Sequence, residues 1–365
     1  MRILLLSCAD SIHTVRWANE FVQRQHEVLL VSNKDHVLKD NIDKNVTIKY
    51  LKFSGTKAYY LNAFQLHNIY KKYKPDIVSV HYASGYGTLA RIARIKPCVL
   101  SVWGSDVYVF PKKNFVTKFL LKKNVKYAKV IASTSKVMLS ELSKIVNITK
   151  KKCVITPFGI DTSFFKPSGL KYPIADNKFV FGSVKKLTYL YGIDYLIRAF
   201  KIVHDRWLAE RNGLEPFLFL CGNGENIEDF KKLALDYDLG ECVCIRDYVE
   251  HNLVPSILRS IDVFCLSSLS ESFGVSALEA MSCAKPVIAT DADGFLEIIR
   301  DESLGIIVPK KDTEAMAEKM WYLYTHPDER KKIGKNAREY AVNNFEWKKS
   351  ASSLLDAFEE LLTIR

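Results

Sequence analysis

Nowhere in this sequence do two cysteines stand at Cys-x-x-Cys spacing, and no apolar run approaches the ~20 residues of a membrane span. The first absence argues against a redox dithiol or a zinc ribbon. The eight Cys lie mostly inside apolar runs, such as Phe219-Leu220-Cys221 and Val263-Phe264-Cys265, and read as reduced core residues. Cys242 and Cys244 share one face of a strand, but no His lies at ligand spacing, so no metal is expected. The N-terminus, MRILLLSCAD, reaches Asp10 too soon for the apolar region and cleavage site of a signal peptide. A cytoplasmic protein is expected. Gly and Pro are sparse, 16 and 11 in 365 residues, which argues against a fibrous or largely disordered chain. A chain of this length forms about two domains, each large enough to bury a core.

What is present in excess is positive charge. The formal net charge is +12, which points to an anionic partner such as nucleic acid, anionic lipid or a phosphorylated small molecule. Residues 112–129 carry seven Lys and no acid, interleaved with Phe115, Val116, Phe119, Leu120, Leu121 and Val125. On a helix this is an apolar stripe flanked by ammonium groups, suited to an anionic membrane face. The same stripe also suits a solvated helix docked on its own domain. A nucleic-acid partner is not expected, because no binding module or stacked aromatic platform is recognisable.

Apolar runs bounded by turn residues predict buried strands over 2–7, 28–32, 77–81, 98–102 and 130–133, with helices between most of them, first over 11–24 and 61–73. The rhythm restarts with strands over 179–183, 216–221, 242–245, 263–266 and 286–290, and helices over 190–205, 227–237, 253–259 and 273–283. Strands that alternate with helices imply parallel sheets covered on both faces. Two doubly wound α/β domains are therefore expected. Between them, residues 153–178 hold three Pro and two Gly without a sustained period, as a hinge would. The predicted division is 1–165, 166–346 and a terminal helix, 347–365, that crosses back to the first domain.

The stretch ESFGVSALEAMSCAKPVIAT, residues 271–290, holds the most telling residues. Glu279 stands among Ala277, Leu278, Ala280 and Met281, and a carboxylate in apolar surroundings is costly unless something satisfies it. In open parallel sheets ligands gather at the carboxyl ends of strands, where helix N-termini offer unpaired N–H groups to phosphate. Glu271 falls at such an end, Gly274 is expected to admit a ligand close to the backbone, and Glu279 follows two turns later. Two carboxylates thus bracket a place for a polyhydroxylated, phosphorylated ligand.

This stretch resembles the E-x7-E motif of the retaining glycosyltransferases of family 4, which have the GT-B fold, two Rossmann-like doubly wound parallel-sheet domains facing a cleft. Other matches follow in order. TPFGIDTSFFKP is similar to the interdomain N-G-V-D-x-x-x-F-x-P segment, with Phe158 in place of Asn. FGSVKKLTYLYGIDYLIRAF resembles V-G-R-L-x-x-x-K-G-x-x-x-L, CGNGENIEDFKKLA resembles G-x-G-x-x-x-x-x-L-x-x-x-A, and SIHTVRWANEFVQRQHEVLLVS resembles the opening of one subgroup with an SIHTxRW segment.

The resemblance implies a nucleotide diphosphate sugar as donor substrate, no cofactor and no metal. It implies Glu279 on the ribose hydroxyls, with Glu271 and the N–H groups of Phe273 and Gly274 on the donor sugar and phosphates. Ser272, Val275, Gly222, Tyr248 and Val249 complete the donor set. Where the family places Arg and then Lys at the diphosphate, this chain has Lys186 and Tyr191. Adjacent strand residues face opposite ways, so Lys186 rather than Lys185 is expected to reach the phosphates. The acceptor side is expected to use Ser11, His13 and Thr14 of the first loop and Trp103, Gly104 and Ser105, with Trp103 standing where the family often has His. Glu271, Lys186, Asp106 and His81 form the expected catalytic set.

Retaining transfer of this kind needs no strong base, because the departing diphosphate can take the acceptor's proton. A double displacement through Glu271 is the rival route. The implied role is a hexosyltransferase that extends a lipid-linked glycan for O-antigen or capsule at the inner membrane face, with residues 112–129 on the anionic surface. A soluble acceptor is the alternative, and a sugar-nucleotide epimerase of the same architecture a more distant one.

Overall fold

The computed structural model describes residues 1–363. The chain divides into two compact units, one of residues 1–158 plus the terminal helix from Lys348, the other Gly159–Trp347.

The first unit holds seven parallel strands: β1 (Arg2–Leu6), β2 (Glu27–Asn33), β3 (Val46–Leu51), β4 (Ile77–His81), β5 (Cys98–Val102), β6 (Val130–Ser133) and β7 (Lys152–Ile155). Their order is β3-β2-β1-β4-β5-β6-β7, so the winding reverses between β1 and β4. Ile3 to Leu6 are fully buried, as an apolar strand covered on both faces requires. One face is covered by Leu66, Leu89, Leu121, Val125 and Leu142 from successive helices. On the helix Ile12–Gln23, Trp17 and Phe21 are buried, and Phe21 meets Phe358 of the terminal helix at 5.7 Å between ring centroids. Arg24 ties the same two helices by donating to Ser352 Oγ at 3.1 Å and to the Lys348 carbonyl at 3.0 Å.

The second unit holds six parallel strands: β8 (Lys178–Val184), β9 (Glu215–Cys221), β10 (Val243–Arg246), β11 (Val263–Leu266), β12 (Val287–Thr290) and β13 (Ile306–Val308). Their order is β10-β9-β8-β11-β12-β13, with the reversal between β8 and β11. Phe181, Leu196, Phe200, Leu218, Phe230 and Met320 form its core. Where the chain enters and leaves this unit, Ile160 N–H donates to the Phe345 carbonyl at 2.6 Å and Trp347 N–H to the Ile160 carbonyl at 3.0 Å.

Three strands escape a reading based on apolar runs: β3, β7 and β13. All three lie at sheet edges, where one flank is open and the run shortens or alternates, as in the VTIKYL of β3. The expected helix over 61–73 is two pieces, Ala58–Leu61 and Ala63–Tyr73. The basic helix begins at Phe115, where Asn114 Oδ1 accepts from Thr117 N–H and Thr117 Oγ1 accepts from Asn114 N–H, a capping box. No helix among the described residues is long and apolar enough to cross a membrane.

Candidate functional site

At the carboxyl ends of β8, β9 and β10, Lys185, Lys186, Gly222, Asn223, Tyr248, Val249, His251 and Glu279 line a cavity of about 220 Å³. Sheet topology puts it there: β8 borders the reversal, and the loops leaving neighbouring strands diverge at that point. Gly222 lets two of these loops close up. Its φ is 147°, and a Cβ there would lie 2.0 Å from the Lys185 carbonyl oxygen.

Glu279 reaches this cavity from the helix Val275–Ser282, with its side chain 15% exposed. Its carboxylate faces His251 Nε2 at 3.7 Å, and the His251 ring stacks on Phe164 at 5.8 Å between centroids. The apolar setting of Glu279 is thus relieved by a crevice and an imidazole. His251 went unnoticed in the sequence, where only its nearness to Tyr248 and Val249 hinted at it.

Glu271 follows β11 and is satisfied differently. One carboxylate oxygen accepts from its own Ser272 N–H at 3.1 Å and from Phe273 N–H at 3.5 Å, and the other pairs with the Lys185 ammonium. The side chains of both members of the pair are 12% exposed. Lys185 Nζ also lies 4.4 Å from the Tyr191 ring centroid, a cation–π distance. Burial, and then the Glu271 carboxylate, push the Tyr191 phenol up from its ordinary value.

Lys185 pairs with Glu271 and stands beside Tyr191, where the family pattern has its second cation, so the two lysines are not separated as expected. Both lysines line the cavity because β8 ends at Val184, so strand alternation no longer governs them. The reason given for Gly274 also changes. At φ 99° it begins the helix Val275–Ser282, and a Cβ there would lie 2.9 Å from Phe295 Cδ1. Gly274 admits the Phe295 ring. Phe273 is buried, with its ring 6.0 Å from Phe345.

The expected acceptor and catalytic residues of the first unit range from fully buried to exposed. Thr14 is buried and its hydroxyl lies 2.7 Å from Ser7 Oγ, so it closes the first loop internally. Asp106 is fully buried and accepts from the N–H groups of Ala83 at 2.8 Å, Trp103 at 3.1 Å and Gly104 at 2.9 Å. Burial pushes its carboxyl up while these donors pull it down, the balance being upward. Through these bonds Asp106 holds the loop after β5 in shape. His81 ends β4 with no exposed surface and neither ring nitrogen hydrogen-bonded, 4.4 Å from Trp103 between ring centroids. Burial, reinforced by His13, lowers its pKa to about 3, so the ring is neutral near pH 7. Ser11 precedes the first helix without capping it by its side chain, and Ser105 is exposed. His13 is half-buried and stacks on Phe158 at 4.1 Å between centroids.

The family models agree with this division. The model "Glycosyl transferase 4-like" matches residues 2–135 and "Glycosyl transferases group 1" matches residues 170–340. An uncharacterised glycosyltransferase, MJ1178 of Methanocaldococcus jannaschii, is 27% identical over 335 residues, 88% of this chain and 87% of its own length. Among solved structures, Anabaena Alr3699/HepE in complex with UDP aligns with a TM-score of 0.78 at 16% identity, over 99% of this chain and 100% of its own. WaaG, a glycosyltransferase involved in lipopolysaccharide biosynthesis, aligns with a TM-score of 0.75 at 17% identity, over 98% of this chain and 99% of its own. The chain is a glycosyltransferase of the GT-B fold, with a 4-like domain followed by a group 1 domain.

Proposed function

We propose that this protein transfers a sugar, with retention at the anomeric carbon, from a nucleotide diphosphate sugar to a lipid-linked glycan. The observation that carries the donor half is the crevice beyond β8 and β9, where Lys185, Lys186, Gly222, His251 and Glu279 converge. Glu279 accepts hydrogen bonds from ribose hydroxyls, beside His251. The diphosphate takes the ammonium of Lys186 and backbone N–H groups at the start of the helix Val275–Ser282. The UDP bound by Alr3699/HepE supports a uridine nucleotide as the first donor to try.

Lys185 and Glu271 divide the remaining work. As the donor sugar loses its diphosphate, positive charge grows on the ring and negative charge on the leaving oxygens. Glu271 accepts from sugar hydroxyls and Lys185 faces the departing phosphate, so each contact strengthens in the transition state. The leaving phosphate takes the acceptor's proton on the same sugar face. A carboxylate pinned by Lys185 and two backbone N–H groups is a poor nucleophile, which disfavours double displacement through Glu271.

The acceptor half rests on the basic helix. Leu121 and Val125 are buried in the first unit, whereas Phe115, Val116 and Phe119 are 81%, 49% and 52% exposed among Lys112, Lys113, Lys118 and Lys123. Exposed aromatics ringed by ammonium groups suit an anionic bilayer surface, and the role of WaaG in lipopolysaccharide biosynthesis supports a membrane-borne glycan. Thermal melting with a panel of nucleotide diphosphates and their sugars tests the donor half. A nucleotide diphosphate should raise Tm in the parent protein and not in Glu279→Ala. No shift with any of them, or an equal shift in both proteins, would remove the reading.

A further inference from the structure

We propose that His204, Glu215 and Cys242 form a zinc site at the end of β9 remote from the donor crevice. Cys242 Sγ lies 3.2 Å from His204 Nε2 and 3.3 Å from Glu215 Oε1, and the three potential ligand atoms all fall within 4.8 Å of one another. In tetrahedral zinc, Zn–N and Zn–O of about 2.0 Å and Zn–S of about 2.3 Å set ligand-to-ligand edges of about 3.3 to 3.6 Å. The sulfur edges are therefore within a few tenths of an ångström of those a bound Zn(II) imposes. A soft thiolate, an imidazole and a carboxylate suit zinc better than magnesium or calcium.

The surroundings complete the site. His204 and Cys242 are 7% and 9% exposed, so two ligands are held by packing, while Glu215 is half-buried and leaves a side open to a water as fourth ligand. The second carboxylate oxygen of Glu215 pairs with the Lys178 ammonium, which orients the first toward Cys242. Sequence spacing hides this cluster. His204 is on the helix Ile193–Glu210, Glu215 opens β9, and Cys242 precedes β10, so only the fold brings them together. Cys244 plays no part in it.

The location gives the ion a task. β10 is an edge strand with no fully buried residue, so side-chain packing alone anchors it weakly. A metal bridging the helix, the first residue of β9 and the residue before β10 would clip that edge. Gly222, which follows the last residue of β9, lines the donor crevice, so about 20 Å of strand separates the two sites.

The test uses tag-free, full-length protein equilibrated with zinc sulfate, desalted, and assayed for metal by mass spectrometry. About one zinc per chain should be retained, with a rise in Tm that a chelator reverses. Cys242→Ser and His204→Gln should lose both, and Cys244→Ser should keep both. Failure of the parent protein to retain zinc, or equal retention in Cys242→Ser and His204→Gln, would overturn the site. Should those variants fail to fold, cobalt(II) loading of the parent and of Glu215→Gln decides. A thiolate-to-cobalt charge-transfer band that weakens in Glu215→Gln supports the site, and its absence from the parent, or an unchanged band in Glu215→Gln, overturns it.

Discussion

The carboxyl ends of the strands in the two units are built from similar polar residues put to opposite uses. In the first unit Thr14 bonds Ser7, Asp106 takes three backbone N–H groups, and His81 is sealed behind Trp103. In the second, Lys185 pairs with Glu271 across two loops and Glu279 meets His251 across a crevice, with Lys186 beside it. The Asp106 carboxylate is held by backbone N–H groups alone and sets the shape of a loop, whereas Glu271 and Glu279 each also face a basic side chain, a partner that a ligand can displace. On this contrast an acid held only by backbone donors is expected to matter for stability, and an acid that faces a basic side chain is expected to matter for ligand binding.

Asp106→Ala breaks this contrast most directly. It leaves three N–H groups without their acceptor, two of them in the residues just before the helical turn Ser105–Tyr108. At about 1 to 3 kcal/mol for each buried donor left unsatisfied, the first unit should lose at least about 3 kcal/mol. A urea transition of the first unit at markedly lower concentration is expected, with the nucleotide-induced Tm shift of the second unit retained. If stability holds while turnover alone falls, Asp106 is catalytic after all.

Glu279→Ala sits on the other side of the contrast. Removing a charge-assisted acceptor should weaken nucleotide binding by about 1.5 to 3 kcal/mol, roughly tenfold or more, with little change in urea stability. Calorimetric titration with nucleotide diphosphate measures it. For Lys185 and Glu271 the sharper measurement is a double-mutant cycle on stability without ligand, using Lys185→Met and Glu271→Gln. The pair should show coupling of about 0.5 kcal/mol or more, and additive effects would mean that neither residue holds the other.

How much of this was legible in the sequence follows the same physics. Strands covered on both faces announce themselves as apolar runs, and β4, β5, β6 and β11 begin and end where the runs do. Edge strands do so less reliably: β10 was legible over 242–245, but β3, β7 and β13 were not, since an open flank shortens or alternates the run. Glu271 and Glu279 were legible because a carboxylate beside apolar residues is conspicuous. Lys185, His251 and the cluster around Cys242 were not, because each depends on which loops the winding brings together. The hydrogen bonds of Asp106 and the complete burial of His81 were equally hidden. A polar residue at a strand end has the same letter whether it faces a ligand or its own backbone.

Phe115→Ser with Phe119→Ser separates membrane docking from folding. The two exposed rings contribute little to the core of the first unit, so urea stability should be unchanged, while binding to phosphatidylglycerol vesicles should fall roughly tenfold, about 1.4 kcal/mol. Flotation assays at low and high salt give the measurement. Equal binding by the variant would leave the lysines as a solvated face.

A pH profile of stability tests how well His81 is sealed. Its pKa is lowered from 6.5 to about 3 by burial, with His13 adding to the shift, so the folded protein keeps the ring neutral while the unfolded chain protonates it below 6.5. Where the unfolded state binds the extra proton, stability rises with pH. The contribution is therefore fully present above pH 6.5 and declines as pH falls from there toward 3, reaching about 1 kcal/mol of loss near pH 5.8. His81→Phe has no proton to take up, so its urea midpoint should fall less between pH 7.5 and 5.8 than that of the parent protein. If the two curves run parallel, His81 protonates in the folded state as readily as in water. The pocket behind Trp103 would then be open to solvent, and the polar groups of the first unit would be as available to a ligand as those of the second.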